Sequence, residues 1–312
     1  MQLNECKKSV LVLLSTFNGD EYIEEQLCSL YRQKTENIHI LIRDDGSLDS
    51  TVIKIKQYAS KHDNTTVLIG DNVGCALSFC KLIEYAYSMM PIFDYYSFCD
   101  QDDVWDDDKL SYAITVLETY TRNPLRLYTS AYRVVDNILN FKYIQRYKYK
   151  HTLGESLIMI NTMGCTQVFS RELLEQSLKR ILVNESFSRD MPNHDGWLYL
   201  VAIVNKADIY YDETPHINYR QHGSNVMGAY QSSFINRFRR IIKCNNVKSH
   251  ISKILFETYE DIDEQSKLLL YWNFTYKNSF YTKIKLLFSK EMMTNSISVN
   301  FAYRMLVLLN YY

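Results

Sequence analysis

Four short apolar runs in the first hundred residues limit the fold of this chain more than any other feature. They occupy residues 10–14, 38–42, 66–69 and 95–99. The segments that follow them, 20–32, 49–61, 77–87 and 107–121, carry apolar residues at helical spacing. A run that is apolar at almost every position is typical of a strand buried on both faces. Short strands that alternate with helices predict a parallel sheet covered by helices, an α/β layer fold.

The pattern changes twice after residue 125. Segments 125–129, 133–135 and 138–143 predict strands, with a hairpin turn at Asp136 and Asn137, and helical spacing returns at 171–182 and 195–205. From residue 234 the sequence predicts basic amphipathic helices. Segment 234–312 holds 12 Lys and Arg against 6 Asp and Glu, a net charge of +6, whereas the whole chain carries −1. We therefore predict a main domain over residues 1–231 and a helical C-terminal region over residues 232–312.

Polar segments follow all four apolar runs. They are Ser15-Thr16-Phe17-Asn18, Asp44-Asp45-Gly46-Ser47-Leu48-Asp49, Asp71-Asn72-Val73-Gly74 and Asp100-Gln101-Asp102-Asp103. Because parallel α/β sheets bind their ligands at the carboxyl ends of the strands, these segments are expected to meet in one site. No glycine-rich phosphate loop follows any of the runs, so a bound phosphate there would need a metal ion.

The acids after the fourth run predict a cation site. Asp100 and Asp102 stand two residues apart at the end of an extended segment, so both carboxylates can face one Mg²⁺ or Mn²⁺ ion. The alternative is that they cap the helix at 107–121, since acidic residues favour a helix start. Asp106, Asp107 and Asp108 already stand at that start, which leaves the earlier pair unexplained by capping.

Several motifs, taken in order, resemble the family 2 glycosyltransferases with the GT-A fold. They are Leu14-Ser15-Thr16-Phe17-Asn18-Gly19, Arg43-Asp44-Asp45-Gly46-Ser47, Asp71-Asn72-Val73-Gly74 and Phe98-Cys99-Asp100-Gln101-Asp102-Asp103-Val104-Trp105. Asn193-His194-Asp195-Gly196-Trp197 and Tyr219-Arg220-Gln221-His222-Gly223-Ser224-Asn225 resemble the bacterial rhamnosyltransferase-like branch. The resemblance covers about residues 8–228 and departs at Asp107, where relatives usually place proline. It implies a mixed sheet with helices on both faces, with a nucleotide-sugar half at about 1–105 and an acceptor half at about 106–231.

The resemblance implies roles for the residues of the first half. Ser15 and Thr16 would line the nucleotide pocket, and Asn72 and Gly74 would lie near the donor. Asp45 would accept a hydrogen bond from the N3–H of a pyrimidine, which suits a carboxylate because it only accepts. The alternative is that Asp45 is an Asx-type turn residue, a role that fits Asp44 or Asp49 better.

The resemblance also implies the reacting groups. Asp100 and Asp102 would bind the Mg²⁺ or Mn²⁺ ion that bridges the donor diphosphate. His222 would be a further contact to the metal or to a phosphate, and the alternative for this histidine is a structural role. Arg220 would contact the diphosphate. Asp195 would be the general base that takes the proton from the acceptor hydroxyl. From the residues alone, a helix N-cap at the start of 195–205 explains Asp195 equally well.

The expected reaction is the transfer of a sugar, with inversion, from a nucleotide diphosphate to a hydroxyl of a glycan acceptor. The resemblance makes dTDP-L-rhamnose the first expected donor and a UDP-hexose the second, and its polysaccharide members extend lipid-linked acceptors. A sugar-nucleotide-binding module without catalysis is the alternative, although Asp100, Asp102 and Asp195 are all present. Nucleic acid is not an expected partner, because the aromatic side chains of the basic region lie on an apolar helical face.

Cysteine usage and hydropathy predict where the chain acts. Its seven cysteines are odd in number and never spaced C-x-x-C, which favours reduced thiols in the cytoplasm. The first apolar run is too short for a signal peptide, and no stretch reaches the length of a membrane-spanning helix. The basic helices of 234–312 are expected either to pack on the main domain or to lie on the anionic inner face of the membrane.

Overall fold

A seven-stranded mixed sheet forms the centre of the protein. The computed structural model describes residues 8–148, 150–158, 163–181, 193–223 and 247–310. The four apolar runs become strands β1 to β4, which are Val10–Thr16, Ile38–Asp44, Thr65–Ile69 and Tyr95–Cys99. They lie side by side and parallel in the order β4-β1-β2-β3. The predicted parallel α/β core is thereby confirmed.

Three further strands extend this sheet beyond β4. They are β6 (Arg126–Ser130), β9 (Val168–Ser170) and β10 (Asp208–Asp212), in the order β10-β6-β9-β4. Strand β9 runs antiparallel to both of its neighbours, which makes the sheet mixed.

A small second sheet lies beside the first. Its order is β5-β11-β7-β8, formed by Val104–Trp105, Ile217–Arg220, Tyr132–Val135 and Phe141–Gln145. Strands β7 and β8 are the predicted hairpin, with an irregularity at Val134/Val135. Strand β5 directly follows the predicted cation loop, and β11 pairs with it. The small sheet therefore holds a late part of the chain close to Asp102 and Asp103.

Helices cover both faces of the central sheet. Those of the main domain are α1 (Ile23–Tyr31), α2 (Thr51–Ala59), α3 (Cys75–Ser88), α4 (Lys109–Tyr120), α5 (Leu153–Ile158), α6 (Arg171–Ile181) and α7 (His194–Val204). Strand β1 shows why both faces need cover: Leu11 and Leu13 belong to one buried cluster, and Val10, Val12 and Leu14 belong to the other. Alternate side chains of one strand thus fill both halves of the core.

The C-terminal region contains helices α8 (Val247–Thr258), α9 (Glu264–Thr275), α10 (Phe280–Phe288) and α11 (Ile297–Leu308). Their buried residues, such as Leu255 and Leu306, belong to the same hydrophobic cluster as Leu11. The Tyr259 hydroxyl donates a hydrogen bond of 2.8 Å to the Gln176 carbonyl of α6. The predicted amphipathic segment that begins at residue 234 lies outside the described residues, and the division at 231/232 stays a prediction. Within the described ranges, no helix combines the length and the apolar character needed to cross a membrane.

Candidate active site

One cleft of about 570 Å³ opens at the carboxyl ends of β1, β2 and β4. Most of the residues predicted for the site line it: Ser15, Thr16, Asp45, Asn72, Gly74, Asp100, Asp102, Asp195 and His222. The strand ends supply the first polar groups, the start of α7 supplies Asp195, and the segment after β11 supplies His222. The structure therefore brings distant parts of the sequence together, as the strand-end argument predicts.

The turn after β2 places Asp45 at the wall of the cleft. Its Oδ1 accepts hydrogen bonds from the Arg43 guanidinium and from the Val73 N–H at 3.0 Å, and its Oδ2 accepts the Gly74 N–H at 2.8 Å. The donors of the turn bond to the neighbouring Asp44 instead, which accepts the Gly46 N–H at 3.1 Å among other hydrogen bonds. A carboxylate has about four acceptor positions, so Asp45 keeps roughly one for a ligand, on Oδ2.

Gln101 joins the ends of two strands, a role that its position in the sequence does not reveal. Its side-chain oxygen accepts hydrogen bonds from the Thr16 hydroxyl at 2.7 Å and from the Phe17 N–H at 2.8 Å. On the other side of β1, the Ser15 hydroxyl lies 2.6 Å from that of Ser78 in α3. Both predicted nucleotide-pocket residues are thus fixed by side chains from neighbouring elements.

Acidic groups concentrate where β4 ends. Burial, together with the negative charges of Asp102 and Asp195, raises the pKa of Asp100 to about 8. Ligand atoms of Asp100, Asp103 and Cys165 lie within 4.8 Å of one another, with the last two fully buried. Negative charges held close together in a buried site repel one another, and a bound divalent cation would offset that repulsion. The chemistry of these residues therefore fits a metal ion. Neither Asp103 nor Cys165 was predicted from the sequence as a site residue.

Asp102 and His222, predicted to share a metal ion, are already in contact. Asp102 Oδ2 lies 2.7 Å from His222 Nε2, and the Tyr22 ring lies 4.7 Å from the imidazole, centroid to centroid. Both side chains line the cleft. This arrangement brings an oxygen and a nitrogen ligand together, whereas Asp100 clusters with Asp103 and Cys165.

Arg220 lies behind the cation loop and is not among the residues that line the cleft. Its guanidinium is buried, contacts the Glu25 carboxylate and the Asn137 carbonyl, and donates from Nε to the Asp102 carbonyl at 2.8 Å. Its backbone N–H donates to Asp103 Oδ1 at 3.1 Å. These contacts attach β11 to the Asp102–Asp103 segment, whereas the resemblance implied that Arg220 touches the diphosphate directly.

Asp195 lies in the first turn of α7 with its carboxylate in the cleft. Asn193 occupies the N-cap position, so the capping alternative for Asp195 is wrong. Burial raises the pKa of Asp195 to about 6, against the opposing effect of hydrogen bonds from the backbone N–H groups of Gly196 and Gly164. These lie 2.8 Å from Oδ1 and 3.0 Å from Oδ2.

His194, beside Asp195, is buried among aromatic side chains. Its ring stacks on Phe79 at 3.6 Å and meets Phe98 edge-on at 4.6 Å, centroid to centroid. Burial lowers its pKa to about 3, so the imidazole is neutral at physiological pH. Neither ring nitrogen has a hydrogen-bond partner in the described part of the chain.

The mixed α/β sheet, with its acid-lined cleft at the strand ends, is the GT-A fold of nucleotide-sugar-dependent glycosyltransferases. Residues 11–178 match the family model described as glycosyl transferase family 2, and the chain belongs to that family. Among curated relatives, the dTDP-rhamnosyl transferase RfbG of Shigella flexneri is 30% identical over 236 residues, which cover 73% of this chain and 78% of RfbG.

Solved structures support the same fold. The structure of S. aureus TarS 1-349 in complex with UDP-GlcNAc superposes with a TM-score of 0.57 at 16% identity, covering 95% of this chain and 92% of that chain. The mannosyltransferase PcManGT from Pyrobaculum calidifontis, in complex with GDP-Man and Mn²⁺, superposes with a TM-score of 0.50 at 15% identity, covering 99% of this chain and 82% of that one. At these identities the likeness concerns the fold, and it confirms the GT-A prediction.

Proposed function

We propose that this glycosyltransferase moves a sugar from a nucleotide diphosphate to a hydroxyl of a glycan, with inversion at the anomeric carbon. The observation that carries the proposal is the single cleft shared by Asp45, Asp102 and Asp195. We take dTDP-L-rhamnose as the donor, because a dTDP-rhamnosyl transferase is 30% identical over most of this chain. A UDP-hexose is the second candidate, and a lipid-linked glycan of a cell-surface polysaccharide is the proposed acceptor.

The nucleotide base is assigned to the wall formed by Asp45. The position left on Oδ2 suits the N3–H of thymine or uracil, since that group is a donor and the carboxylate can only accept. Ser15, Thr16, Asn72 and Gly74 line the same cleft and complete the proposed pocket for the nucleoside.

The diphosphate is assigned to Asp100, Asp102 and His222, which would hold Mg²⁺ or Mn²⁺. A cation held there supplies positive charge to the leaving nucleoside diphosphate. The hydroxyl oxygen of the acceptor attacks the anomeric carbon and forms a bond to it. The bond from that carbon to the phosphate oxygen breaks, and its electron pair leaves with the nucleoside diphosphate. Arg220, at the carbonyl of Asp102, supports the loop that holds these ligands.

Asp195 is the proposed base. Its carboxylate takes the proton that the acceptor hydroxyl loses as its oxygen bonds to the sugar. With a pKa of about 6 it is ionised at neutral pH and still basic enough to accept that proton. A binding module without catalysis would have no need of a half-buried carboxylate at this position, which favours the enzyme.

A donor screen tests the proposal. Purified protein is incubated with a short-chain lipid-linked glycan and, in separate reactions, with dTDP-L-rhamnose, UDP-glucose or UDP-galactose, and the released nucleotide diphosphate is measured. We expect release with dTDP-L-rhamnose in the presence of Mg²⁺ or Mn²⁺, and its loss on addition of a chelator. Binding of the donors without release from any of them would support the binding module instead.

We further propose that α10 and α11 contact an anionic membrane surface. Phe280 and Phe288 of α10 are 79% and 77% exposed, and Phe301 of α11 is 67% exposed. Residues 280–310 carry four basic side chains, Lys283, Lys285, Lys290 and Arg304, against one acid, Glu291. Exposed aromatic groups next to an excess of positive charge suit the interface of a bilayer with anionic lipids, where a lipid-linked acceptor would be found.

A further inference from the structure

We propose that Gly164 is a positioning residue for Asp195: its N–H orients the carboxylate, and His194 leaves no room for any side chain at this position. The inference rests on the proposed function for the role of Asp195 as the base. The arrangement itself is visible without a substrate.

The two oxygens of Asp195 are held by two backbone donors from different parts of the chain. The Gly196 N–H, which reaches Oδ1 at 2.8 Å, belongs to α7 and moves with Asp195. The Gly164 N–H, which reaches Oδ2 at 3.0 Å, comes from the short 3₁₀ helix Gly164–Thr166. The second donor lies outside α7, so it fixes the direction of the carboxylate relative to the sheet.

The 3₁₀ helix is attached to the sheet at several points. The Thr166 hydroxyl lies 2.9 Å from that of Thr129 in β6, and the Ser97 hydroxyl of β4 donates to the Gln167 carbonyl at 2.8 Å. The Gln167 side-chain amide in turn donates to the Asp195 carbonyl at 3.2 Å. The Gly164 N–H is thus fixed relative to β4, the strand that Asp100 follows.

His194 makes glycine necessary at position 164. A Cβ atom there would lie 2.8 Å from His194 Nε2 and 3.2 Å from Asp195 Cβ, both closer than side-chain carbons normally approach. The imidazole cannot retreat towards Phe79, which stacks on it at 3.6 Å, or towards Phe98, which packs against it edge-on. A methyl group at 164 therefore displaces the 3₁₀ helix or α7, and lengthens the hydrogen bond to Asp195.

That hydrogen bond stabilises the negative charge of the base, which the titratable side chains around it do not. Asp100 faces Asp195 from the end of β4, the thiol of Cys75 faces it from α3, and the neutral His194 adjoins it on α7. Neither Asp100 nor Cys75 stabilises a negative charge on Asp195. The backbone donors do so, and removal of one of them favours the protonated form.

The variant Gly164→Ala tests the inference. The titration of the Asp195 carboxyl is followed by ¹³C NMR of protein labelled at aspartate, with Asp195→Asn to assign the signal. We expect the pKa of Asp195 to rise by about one unit, because a donor to its ionised form is weakened. The acid limb of kcat/KM should move by the same amount, and kcat/KM at pH 6.5 should fall about threefold because less of the base is ionised.

Two further variants separate positioning from loss of stability. Leu157→Ala opens a cavity in α5, away from the cleft, and should lower the melting temperature without moving the pKa of Asp195. Gly164→Ala combined with His194→Ala removes the imidazole that the new methyl group meets, and should return the pKa towards that of His194→Ala alone. An unchanged pKa in Gly164→Ala, or a shift of equal size in Leu157→Ala, overturns the inference. The titration needs no substrate, so it tests the role of Gly164 even if the protein transfers no sugar. Absence of sugar transfer would refute the proposed function, whereas an unchanged pKa would refute the positioning role.

Discussion

At the scale of single residues, the surroundings of Asp195 set the pH range in which the proposed base can act. Burial holds its pKa at about 6, above the ordinary value, and the base must be ionised to accept a proton. We therefore expect kcat/KM to fall as the pH falls through about 6, by about tenfold for each unit further down. The measurement is nucleotide release from pH 5 to pH 8 at saturating metal. A profile that stays level to pH 5 would contradict the assignment.

Replacement of the same carboxyl tests its role directly. In Asp195→Asn the amide keeps the shape of the side chain but cannot take up the proton, so we expect kcat to fall by about 10²- to 10⁴-fold. Donor affinity, measured by calorimetry, should stay within about twofold, since the proposed donor contacts lie at the strand ends. The control is Asp63→Asn, an exposed acid between α2 and β3, which should leave both quantities unchanged.

The site residues that could be predicted from the sequence are those that follow a strand. Asp45 and Asp102 were predicted in this way, and the structure places both in the cleft. Asp195 carries no such signal, and only the resemblance to a family indicated it. Gln101, Cys165 and Gly164 were not predicted, because their roles come from contacts with residues far away in the sequence, as in the hydrogen bond between Gly164 and Asp195.

At the scale of elements, the turn between β2 and α2 determines the shape of the nucleotide wall. Gly46 has a φ of +83°, and a Cβ atom on it would lie 2.9 Å from the Asn72 backbone nitrogen. We expect Gly46→Ala to destabilise the protein by about 1–3 kcal/mol, because alanine is strained at this φ and pushes against the next loop. Displacement of that loop should also weaken binding of dTDP or UDP.

Thermal unfolding and calorimetric titration with each nucleotide measure the two effects. Leu48→Ala is the matched control, since that side chain belongs to the same turn but is 93% exposed. It should change neither the melting temperature nor the nucleotide affinity. Wild-type nucleotide affinity in Gly46→Ala would show that the loop at Asn72 does not form part of the nucleotide site.

The strands differ in how well they can be predicted from the sequence. Strands β1, β2 and β4 are buried along most of their length, so their apolar runs stand out. Strands β5 and β9 contain two and three residues, too few to display a periodic pattern. Strand β10, with the sequence Asp208-Ile209-Tyr210-Tyr211-Asp212, lies at the sheet edge and is half-buried over most of its length, and it was not predicted either.

At the scale of the whole molecule, the C-terminal helices share their hydrophobic core with the sheet. Deletion of residues 234–312 would therefore expose that core, and point variants are the sharper test of membrane contact. We expect Phe280→Ser combined with Phe288→Ser to lower sedimentation with phosphatidylglycerol-containing liposomes by about tenfold, since two exposed aromatic groups no longer enter the bilayer interface.

Phe141→Ser is the control for that experiment, because Phe141 is 60% exposed on β8 of the small sheet. It should sediment like the unaltered protein. High salt should release the unaltered protein from anionic liposomes, and liposomes of neutral lipid should bind it weakly. Equal sedimentation of the double variant and the control would refute membrane contact through α10.

The interface between the C-terminal helices and the sheet domain limits which parts of such enzymes can be exchanged to make chimeras. At Gly154 a Cβ atom would lie 1.9 Å from the Glu291 carbonyl oxygen, so the two chain segments touch at backbone distance. A chimera that received the tail of a relative would have to import the matching surface of α5 and α6 as well. Exchange of the tail alone should therefore disrupt this packing, so the C-terminal helices should be exchanged together with the surface that they contact.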